Sequence, residues 1–448
     1  MCHGPLAGKM IRYALPLALA YLLQLCFHAA DMIIVGRFSS HESMAAIGAT
    51  GDLITMMINL SVCFSGGIDV VVAQHCGAGD RRGLARAVHT AVALALAAGG
   101  ALFVLGMALS RWSLEVTQVP DAVFGRTLLY LRITVAGMPF LLLYNFGCAI
   151  IRAMGDTVRP LVYLAVSGVL NVLLNLLFVI VFKLDVAGVA LATVISQGLS
   201  AWLVFRALRT ARGAGRLIAG RIRFYAAELK RMLWIGIPSG VQGLCYSLAN
   251  VTIQSAINSL GPVAMAGNVS AVIIDRMLHT VNISFFQTVV AFVGQNFGAR
   301  RYDRVRSVMR IALSILTAAF LVGGWGVYLC GETLLGWINP HPGVIAQGML
   351  RLKVVGTTYF LLGLMDNVTG GLRGMGRSVA PALVTLFGSC GLRILWVLTV
   401  FPHYRRLDVL LVCLPLSWAV ITLINGTMLW FVCRKLPVRR KLAPGTPV

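Results

Sequence analysis

The 448-residue sequence is poor in charged residues, and the charges that it has are mostly of one sign. Charged side chains make up 12% of the chain, with 15 acidic against 38 basic residues. An ordinary soluble domain carries about 25% charged residues. Instead, 58% of the residues are hydrophobic, and apolar runs of about 20 residues, the length needed to cross a bilayer, recur from end to end. No soluble domain of useful size is therefore expected between these runs.

Several chemical signatures are missing as well. The ten cysteines are scattered, with no CxxC pair and no Cys/His cluster, so we expect neither a metal centre nor a disulfide framework. The sequence contains no HExxH zinc motif and no Walker A loop, which argues against a zinc enzyme and against ATP as the energy source. The first apolar run lacks a small-residue cleavage site, so we interpret it as a retained span and not as a signal peptide.

The apolar runs predict an all-α polytopic membrane protein with twelve transmembrane helices. Their approximate bounds are 11–36, 44–72, 87–110, 122–150, 159–182, 186–206, 231–257, 262–292, 306–330, 344–370, 380–401 and 408–433.

The sequence also repeats itself at an offset of 221 residues. QHCGAGD at 74–80 matches QNFGARR at 295–301, and IRAMGDTVRP at 151–160 matches LRGMGRSVAP at 372–381. Each half has six spans, an even number, so both halves enter the membrane from the same side and the repeat is parallel. The predicted parts are an N-terminal lobe (1–206), a basic linker (207–230), a C-terminal lobe (231–433) and a basic tail (434–448).

The positive charges predict the orientation. Most Lys and Arg residues lie at the termini and in the loops that follow even-numbered spans. The other loops hold only Arg37, Arg111, Arg126, Lys183, Arg405 and Arg406. The basic side of a membrane protein faces the cytoplasm, so both termini are expected there, in a multi-pass protein of the cytoplasmic membrane. The net charge of +23 is then a topology signal, and no nucleic acid partner is expected because no folded basic domain is present.

Polar residues inside the first and fifth spans are candidates for an ion site. Asp31 has apolar flanks, and a charge in a bilayer core is a functional hypothesis by default. Gln24 lies two helical turns earlier, and Asn171 and Asn175 share one face of the fifth span. A rise of about 1.5 Å per residue places all four in the outer half of the membrane. One carboxylate with three amides suits a small cation or a proton, although Asn and Gln also hold helices together by hydrogen bonds.

The second half of the repeat has lost these polar groups. The residues 221 positions after Gln24, Asp31, Asn171 and Asn175 are Cys245, Thr252, Leu392 and Trp396. Side chains that only joined helices would be expected in both halves, so we assign the ion site, with Na⁺ as one possible metal at Asp31, to the N-terminal lobe.

The C-terminal lobe has its own intramembrane polar groups. They are Asp366, Asp275, Arg276, Arg393, Asn282 and Gln287. They form either a cation- or substrate-binding surface or internal ion pairs, such as Asp366 with Arg393. Asp366 is the first choice, because its repeat partner Asn145 is also polar. Asp52 and Asp69 of the second span could line a cavity.

Five segments carry a resemblance to a known family. They are AADMIIVGR at 29–37, AQHCGAGD at 73–80, IRAMGDTVRP at 151–160, GQNFGAR at 294–300 and LMDNVTGGLRGMG at 364–376. With these segments the chain resembles the multidrug and toxic compound extrusion (MATE) transporters over essentially its whole length.

The resemblance implies two six-helix lobes that form a V-shaped cavity. It also implies export of cationic or amphipathic drugs in exchange for Na⁺ or H⁺, by alternating access of a monomer, with no cofactor besides the coupling ion. Gln24, Asp31 and Asn171 look like the family's ion site on helices 1 and 5, whereas Asn175 stands where some members have Asp. Asp366 resembles the acidic residue of helix 10.

Two other classes of function are weighed against this one. A flippase for lipid-linked oligosaccharides or lipids, from the same broad superfamily, is the main alternative, and it would need several Arg residues around a pyrophosphate. An intramembrane aspartyl protease would place its GxGD motif in a helix centre, whereas GAGD at 77–80 lies in a basic loop. We therefore expect a transporter and no enzymatic activity.

Overall fold

All of the secondary structure that the structure describes is helical. The structure is a computed structural model, and it describes residues 1–38 and 41–437. The α-helices are α1 (Leu6–Phe38), α2 (His41–Ala78), α3 (Arg81–Val116), α4 (Asp121–Ala136), α5 (Met138–Ala153), α6 (Val158–Leu176), α7 (Asp185–Thr210), α8 (Ala226–Asn258), α9 (Pro262–Gly298), α10 (Tyr302–Leu329), α11 (Gly331–Ile338), α12 (Pro342–Arg351), α13 (Tyr359–Gly374), α14 (Val379–Thr385), α15 (Leu392–Thr399), α16 (Phe401–Tyr404), α17 (Leu407–Leu411) and α18 (Cys413–Lys435). The predicted fold class is confirmed.

Most of the predicted spans correspond to helices that can cross a membrane. Within the described residues, nine helical stretches are long and apolar enough, or eleven when each of two bent helix pairs counts as one span. The predicted span 231–257 falls in α8, which has 33 residues and is not among the eleven. Its length of about 50 Å is sufficient, but polar side chains such as Gln242 and Asn250 lower its hydropathy. The chain is a multi-pass membrane protein.

The fourth spanning segment of each half is bent. α4 and α5 meet at 41°, and α12 and α13 meet at 42°. In the first half the break falls at Gly137, and Pro139 follows in the first turn of α5, where its missing N–H leaves no helical hydrogen bond unmade. In the second half a π-helical turn, Leu352–Gly356, continues α12 and precedes the break, and such turns also kink helices. Two different local sequences thus give the same bend.

The chain packs as two compact units. The N-unit is Leu15–Gly236, and the C-unit combines Met1–Ala14 with Ile237–Val448. Both boundaries therefore lie inside long helices, α1 and α8, and not in the predicted linker 207–230. The start of α1, up to Ala14, belongs to the C-unit, whereas the rest of α1 belongs to the N-unit. The start of α8, up to Gly236, belongs to the N-unit, whereas the rest of α8 belongs to the C-unit.

The linker 207–230 is part of the N-unit because its backbone is hydrogen-bonded to α3. The N–H of Ile218 donates to Nε2 of His89 at 3.1 Å, and the N–H of Tyr225 donates to Oγ1 of Thr90 at 3.2 Å. Leu217, which directly precedes Ile218, is only 2% exposed. These contacts explain why a segment rich in Arg and Gly is ordered against the lobe that precedes it.

Close packing of small residues holds the helices of the N-unit together. A Cβ at Gly147 of α5 would lie 2.1 Å from Cγ1 of Val204 on α7, and a Cβ at Gly99 of α3 would lie 2.7 Å from Cα of Pro139. Lipid chains are as apolar as the side chains, so helices in a membrane associate largely through such close contacts. α5 is therefore fixed between α3 and α7. In the C-unit, the rings of Phe320, Tyr359 and Trp418 pack edge to face.

Candidate functional site

A polar cluster joins α1 to α6 inside the N-unit. Nδ2 of Asn175 donates to the carboxylate of Asp31 at 2.6 Å and to Oδ1 of Asn171 at 3.3 Å. Nδ2 of Asn171 donates in turn to Oγ of Ser196 on α7 at 3.3 Å. Asn175 is fully buried, and Asn171 and Ser196 are nearly so. We call Asp31, Asn171, Asn175 and Ser196 the α1–α6 cluster.

Helical spacing and one glycine bring these side chains together. Asn171 and Asn175 lie one turn apart on α6, and Gly168 precedes Asn171 on the same face. Phe27, one turn before Asp31 on α1, fills the space above Gly168, where a Cβ would lie 1.8 Å from the Phe27 ring. α1 and α6 can therefore approach closely enough for Asp31 to reach Asn175.

Apolar side chains shield the cluster on one side. Ile34, Val35, Val179 and Val189 form a buried group against which Tyr130 packs. Ile34 and Val35 lie one turn beyond Asp31, and Val179 lies one turn beyond Asn175, so this group covers the same helix faces. Such shielding lowers the local dielectric and strengthens any interaction of the carboxylate with a cation or a proton.

The cluster offers oxygen atoms to a cation. Oδ1 of Asn175 is buried and has no hydrogen-bond partner among the described residues, although nearly all buried polar atoms have one. The Asp31 carboxylate, the Asn amides and the Ser196 hydroxyl are hard ligands that suit an alkali cation. Within the described part of the chain, no group of three or more His, Cys, Asp or Glu side chains could hold a metal ion.

The predicted members of the ion site are not all in contact. Asp31, Asn171 and Asn175 are hydrogen-bonded to one another. Gln24 is exposed and makes no hydrogen bond to another described residue. Ser196 is an addition that sequence reasoning missed. The repeat contained a signal for it, because Ser196 and Ser417 occupy equivalent positions in the two halves.

The C-unit holds a second carboxylate contact, which has a counterpart in the N-unit. Nδ2 of Asn282 on α9 donates to Asp366 on α13 at 2.5 Å. Nδ2 of Asn145 on α5 donates to Oγ of Ser61 on α2 at 3.0 Å. Both partners of the first pair lie 221 residues after those of the second, so the same interhelical contact occurs in both units, with a carboxylate only in the C-unit. Oδ1 of Asn282 has no partner in the described structure.

Arg393 is a buried cation of the C-unit. It is 3% exposed, its Nε donates to Oγ of Ser417 at 3.2 Å, and its guanidinium carbon lies 5.6 Å from the Tyr246 ring centroid. No carboxylate of the described residues lies within 4.0 Å of it, so the alternative of an Asp366–Arg393 ion pair does not apply. Ser417 is equivalent to Ser196, so corresponding serines hold an amide in one unit and a guanidinium in the other.

Asp275 belongs to an internal network of the C-unit. Nε of Arg351 donates to its carboxylate at 2.8 Å, and Nη1 of Arg351 donates to Oδ1 of Asn268 at 2.8 Å. Its neighbour Arg276 is exposed, and Gln287 is half-buried without a hydrogen bond to another described residue. Asp275 is therefore placed as one half of an ion pair, whereas Asp366 is held by an amide.

A similar ion pair involves Asp69 in the N-unit. Nη2 of Arg152 lies 3.2 Å from the carboxylate of Asp69, which is 4% exposed. The side chain of Asp52 lies outside the described residues.

The motif AQHCGAGD, which begins in the last turns of α2 and ends between α2 and α3, ends in a helix cap. The side chain of Asp80 accepts from the backbone N–H of Gly83 at 2.9 Å, at the start of α3. His75 lies between two carboxylates, with Nδ1 3.1 Å from Asp80 and Nε2 2.9 Å from Glu228 at the start of α8. The hydrogen bond from Gly83, and then the proximity of His75, hold the pKa of Asp80 below its ordinary value of 3.8.

We expect this cap to stabilise the protein in a pH-dependent way. Because the folded-state pKa of Asp80 is lowered, its charge contributes stability above pH ~4, and this contribution is lost as the pH falls through the folded pKa. Asp80→Ala should lower the free energy of unfolding by about 1 kcal/mol at pH 7. Asp80→Asn keeps the acceptor, so it should lose less. Thermal unfolding in detergent at pH 7 and at about pH 3, below the unfolded pKa of an aspartate, measures this, and an Asp80→Ala midpoint equal to that of the unaltered protein at pH 7 would contradict it.

Two repeated halves of apolar helices, with a polar cluster buried between membrane spans, define a membrane transporter. The chain belongs to the MatE family, whose model matches residues 16–177 and 238–398. The two matches are offset by about the same number of residues as the repeated loop motifs, which confirms the internal repeat. This is a family of transporters and not of enzymes.

Curated relatives cover almost the whole chain. The probable multidrug resistance protein YoeA of Bacillus subtilis is 26% identical over 96% of this chain and 95% of its own length. The probable multidrug resistance protein NorM of Thermotoga maritima is 24% identical over 84% of this chain and 82% of its own length.

Solved structures share the fold at low sequence identity. A crystal structure of a MATE mutant superposes with a TM-score of 0.90 at 18% identity, covering 97% of this chain and 98% of the other. A transporter of the MOP superfamily from Pyrococcus furiosus, described as having a binding pocket of reversed polarity, superposes with a TM-score of 0.86 at 19% identity, with 97% of each chain covered.

Proposed function

We propose that this protein exports cationic or amphipathic drugs across the cytoplasmic membrane in exchange for Na⁺ or H⁺. Drug export is supported by the relatives YoeA and NorM, which are named probable multidrug resistance proteins. Ion coupling is supported by one observation above all. A carboxylate in an apolar span, Asp31, accepts from a fully buried amide, Asn175, whose own oxygen has no partner among the described residues.

The chemistry of the α1–α6 cluster suggests how an ion would be held and released. Without the ion, the amide N–H groups of Asn175 partly neutralise the Asp31 carboxylate, since a hydrogen bond to a charged acceptor is about twice as strong as one between neutral groups. Rotation of the Asn175 amide by about 180° would exchange its nitrogen and its oxygen. The oxygen would then join Asp31 and Oδ1 of Asn171 around a cation, or accept from a protonated carboxyl group. One amide would thus serve both states.

Transport would follow from competition between the ion and the drug. A protein that alternates between two conformations shifts towards the one that a ligand prefers. If the coupling ion stabilises one conformation and the drug the other, each weakens the binding of the other by the same factor. The distribution of Lys and Arg predicts that both termini lie in the cytoplasm. Entry of the ion down its gradient would then drive the drug out of the cell.

Proteoliposomes can test the coupling directly. The purified protein is reconstituted with a fluorescent organic cation inside or outside the vesicles, and a Na⁺ gradient or a pH gradient is imposed separately. We expect one of the two gradients to drive the dye against its own gradient, and a protonophore to abolish the response only if the ion is H⁺. The proposal fails if neither gradient moves the dye.

The flippase alternative depends on several arginines that line a cavity. Only Arg276 and Arg393 are predicted at mid-span, and Arg393 is already engaged by Ser417 and Tyr246, which leaves Arg276. One such cation is few for a pyrophosphate, which usually requires several. A lipid-linked precursor that accumulates in a deletion strain would favour this alternative over drug export.

A further inference from the structure

The C-unit carries an apolar groove with two cations at one end. The groove has a volume of about 630 Å³ and follows one face of α18. Its apolar wall includes Ile424, Met428 and Phe431, which recur every three or four residues and so share a helix face. Arg377, in the loop after α13, and Lys435, in the last turn of α18, border its other end.

We propose that this groove binds one anionic phospholipid of the surrounding bilayer, with its phosphate between Arg377 and Lys435 and an acyl chain along α18. Basic pockets next to apolar helix faces are a recurrent way of recognising anionic lipid headgroups. An apolar face as exposed as that of Ile424 (48%) and Phe431 (51%) requires an apolar neighbour, which lipid chains supply.

The dimensions of the groove fit one leaflet. Leu423, which lines the groove near its apolar end, lies twelve residues before Lys435, a distance of about 18 Å along the helix. One leaflet of hydrocarbon is about 15 Å deep. Trp430 is 54% exposed and lies under the guanidinium of Arg434 at 5.2 Å, as expected of a tryptophan at the membrane interface. Lys435 is therefore at headgroup depth while Leu423 is near the bilayer centre.

The two cations are available to a ligand. The side chains of Arg377 and Lys435 form no ion pair or hydrogen bond with another described residue, and the described lining of the groove contains no acidic residue. Neighbouring arginines differ in this respect. Nη2 of Arg306 donates to the carbonyl oxygen of Leu436 at 3.2 Å, and Arg434 stacks on Trp430.

The internal repeat provides a comparison surface without this chemistry. The position equivalent to Arg377 in the N-unit is Asp156, and that equivalent to Thr427 of the groove is Arg206. Asp156 pairs with Arg159 at 3.2 Å, and Arg206 lies over the Trp202 ring at 5.4 Å. The N-unit thus has an acidic residue, Asp156, where the C-unit has Arg377, so the anionic-lipid site is expected in the C-unit only.

The test compares phosphatidylglycerol with phosphatidylcholine of the same acyl chains. The full-length protein is exchanged into nanodiscs that contain both lipids, and the lipids retained after extraction into detergent are measured by native mass spectrometry. Each cation near a membrane surface contributes about a fivefold preference for an anionic lipid, so we expect one phosphatidylglycerol to be retained with a ~25-fold preference. Arg377→Asp, which introduces the residue of the repeat, combined with Lys435→Gln, should remove this preference.

Two further variants keep the result decisive. Arg377→Gln with Lys435→Gln removes the cations without adding an acid, and it should lose the preference as well. It serves as the test if the first double variant does not fold. Arg434→Gln removes a cation of the same helical turn that faces Trp430, and it should retain phosphatidylglycerol normally. Equal retention of both lipids by the unaltered protein, or an unchanged preference in either double variant, would overturn the proposal.

Discussion

Replacing Asp31 with Asn is expected to abolish ion-coupled drug efflux while the protein still folds. Asn has the shape of Asp and keeps an oxygen that can accept from Nδ2 of Asn175, which now lies 2.6 Å from the carboxylate. Only the charge and the site of protonation are lost. Removing one partner of a buried charge interaction costs about 3 kcal/mol or more, so affinity for the coupling ion should fall more than ~100-fold. The measurement is dye efflux from proteoliposomes under the gradient that drives the unaltered protein.

The internal repeat supplies a matched control for this variant. Thr252 occupies the position in α8 that Asp31 occupies in α1. It is half-buried, and its hydroxyl donates only to the backbone oxygen of Leu248 at 3.1 Å. Thr252→Ala should therefore transport normally. Normal efflux by Asp31→Asn would show that the ion binds elsewhere, and Asp366 of the C-unit would be the next carboxylate to examine.

The sequence was sufficient for the architecture because the relevant signals are local or repeated. Apolar runs of bilayer length predict helices wherever they occur. The repeat predicted that positions 145 and 366 would be polar equivalents, and the structure adds their partners, Ser61 and Asn282. Asn171 and Asn175 are close neighbours in any helix, so their mutual contact needed no tertiary information.

Contacts between helices could not be predicted in the same way. Asp275 was expected either in a cation- or substrate-binding surface or in an internal ion pair, and the sequence did not indicate its partner, Arg351, which is 76 residues away in the chain. Gln24 and Asp31 were expected on one helix face, yet a shared face does not decide what each residue meets, and Gln24 is exposed while Asp31 reaches Asn175. The sequence predicted 207–230 as a basic linker and did not predict its hydrogen bonds to α3. Those hydrogen bonds depend on how the segment folds back on that helix.

The approach of α1 to α6 depends on the missing side chain of Gly168, and we expect Gly168→Ala to disrupt the ion site. A Cβ at this position would lie 1.8 Å from Cε2 and 2.2 Å from Cζ of Phe27, so the ring or the helix must move. Overpacking of this kind costs about 1–3 kcal/mol. Phe27 and Asp31 are one turn apart on α1, so a displaced ring also moves the carboxylate away from Asn175. Efflux should fall to a few per cent, with a lowered thermal unfolding midpoint.

A second substitution on the opposite helix separates this steric cause from a general loss of stability. Phe27→Ala removes the ring that the new methyl group would strike, so the double variant Gly168→Ala/Phe27→Ala should transport better than Gly168→Ala alone, a non-additivity that only residues in contact show. Apart from the backbone of its own helix, Gly198 of α7 has no neighbouring group within 4 Å of its Cβ position, and Gly198→Ala should leave transport unchanged and stabilise the helix slightly. If Gly168→Ala transports normally, or if Phe27→Ala worsens it additively, the Phe27–Gly168 contact does not position Asp31, and the ion site must be held by its hydrogen bonds alone.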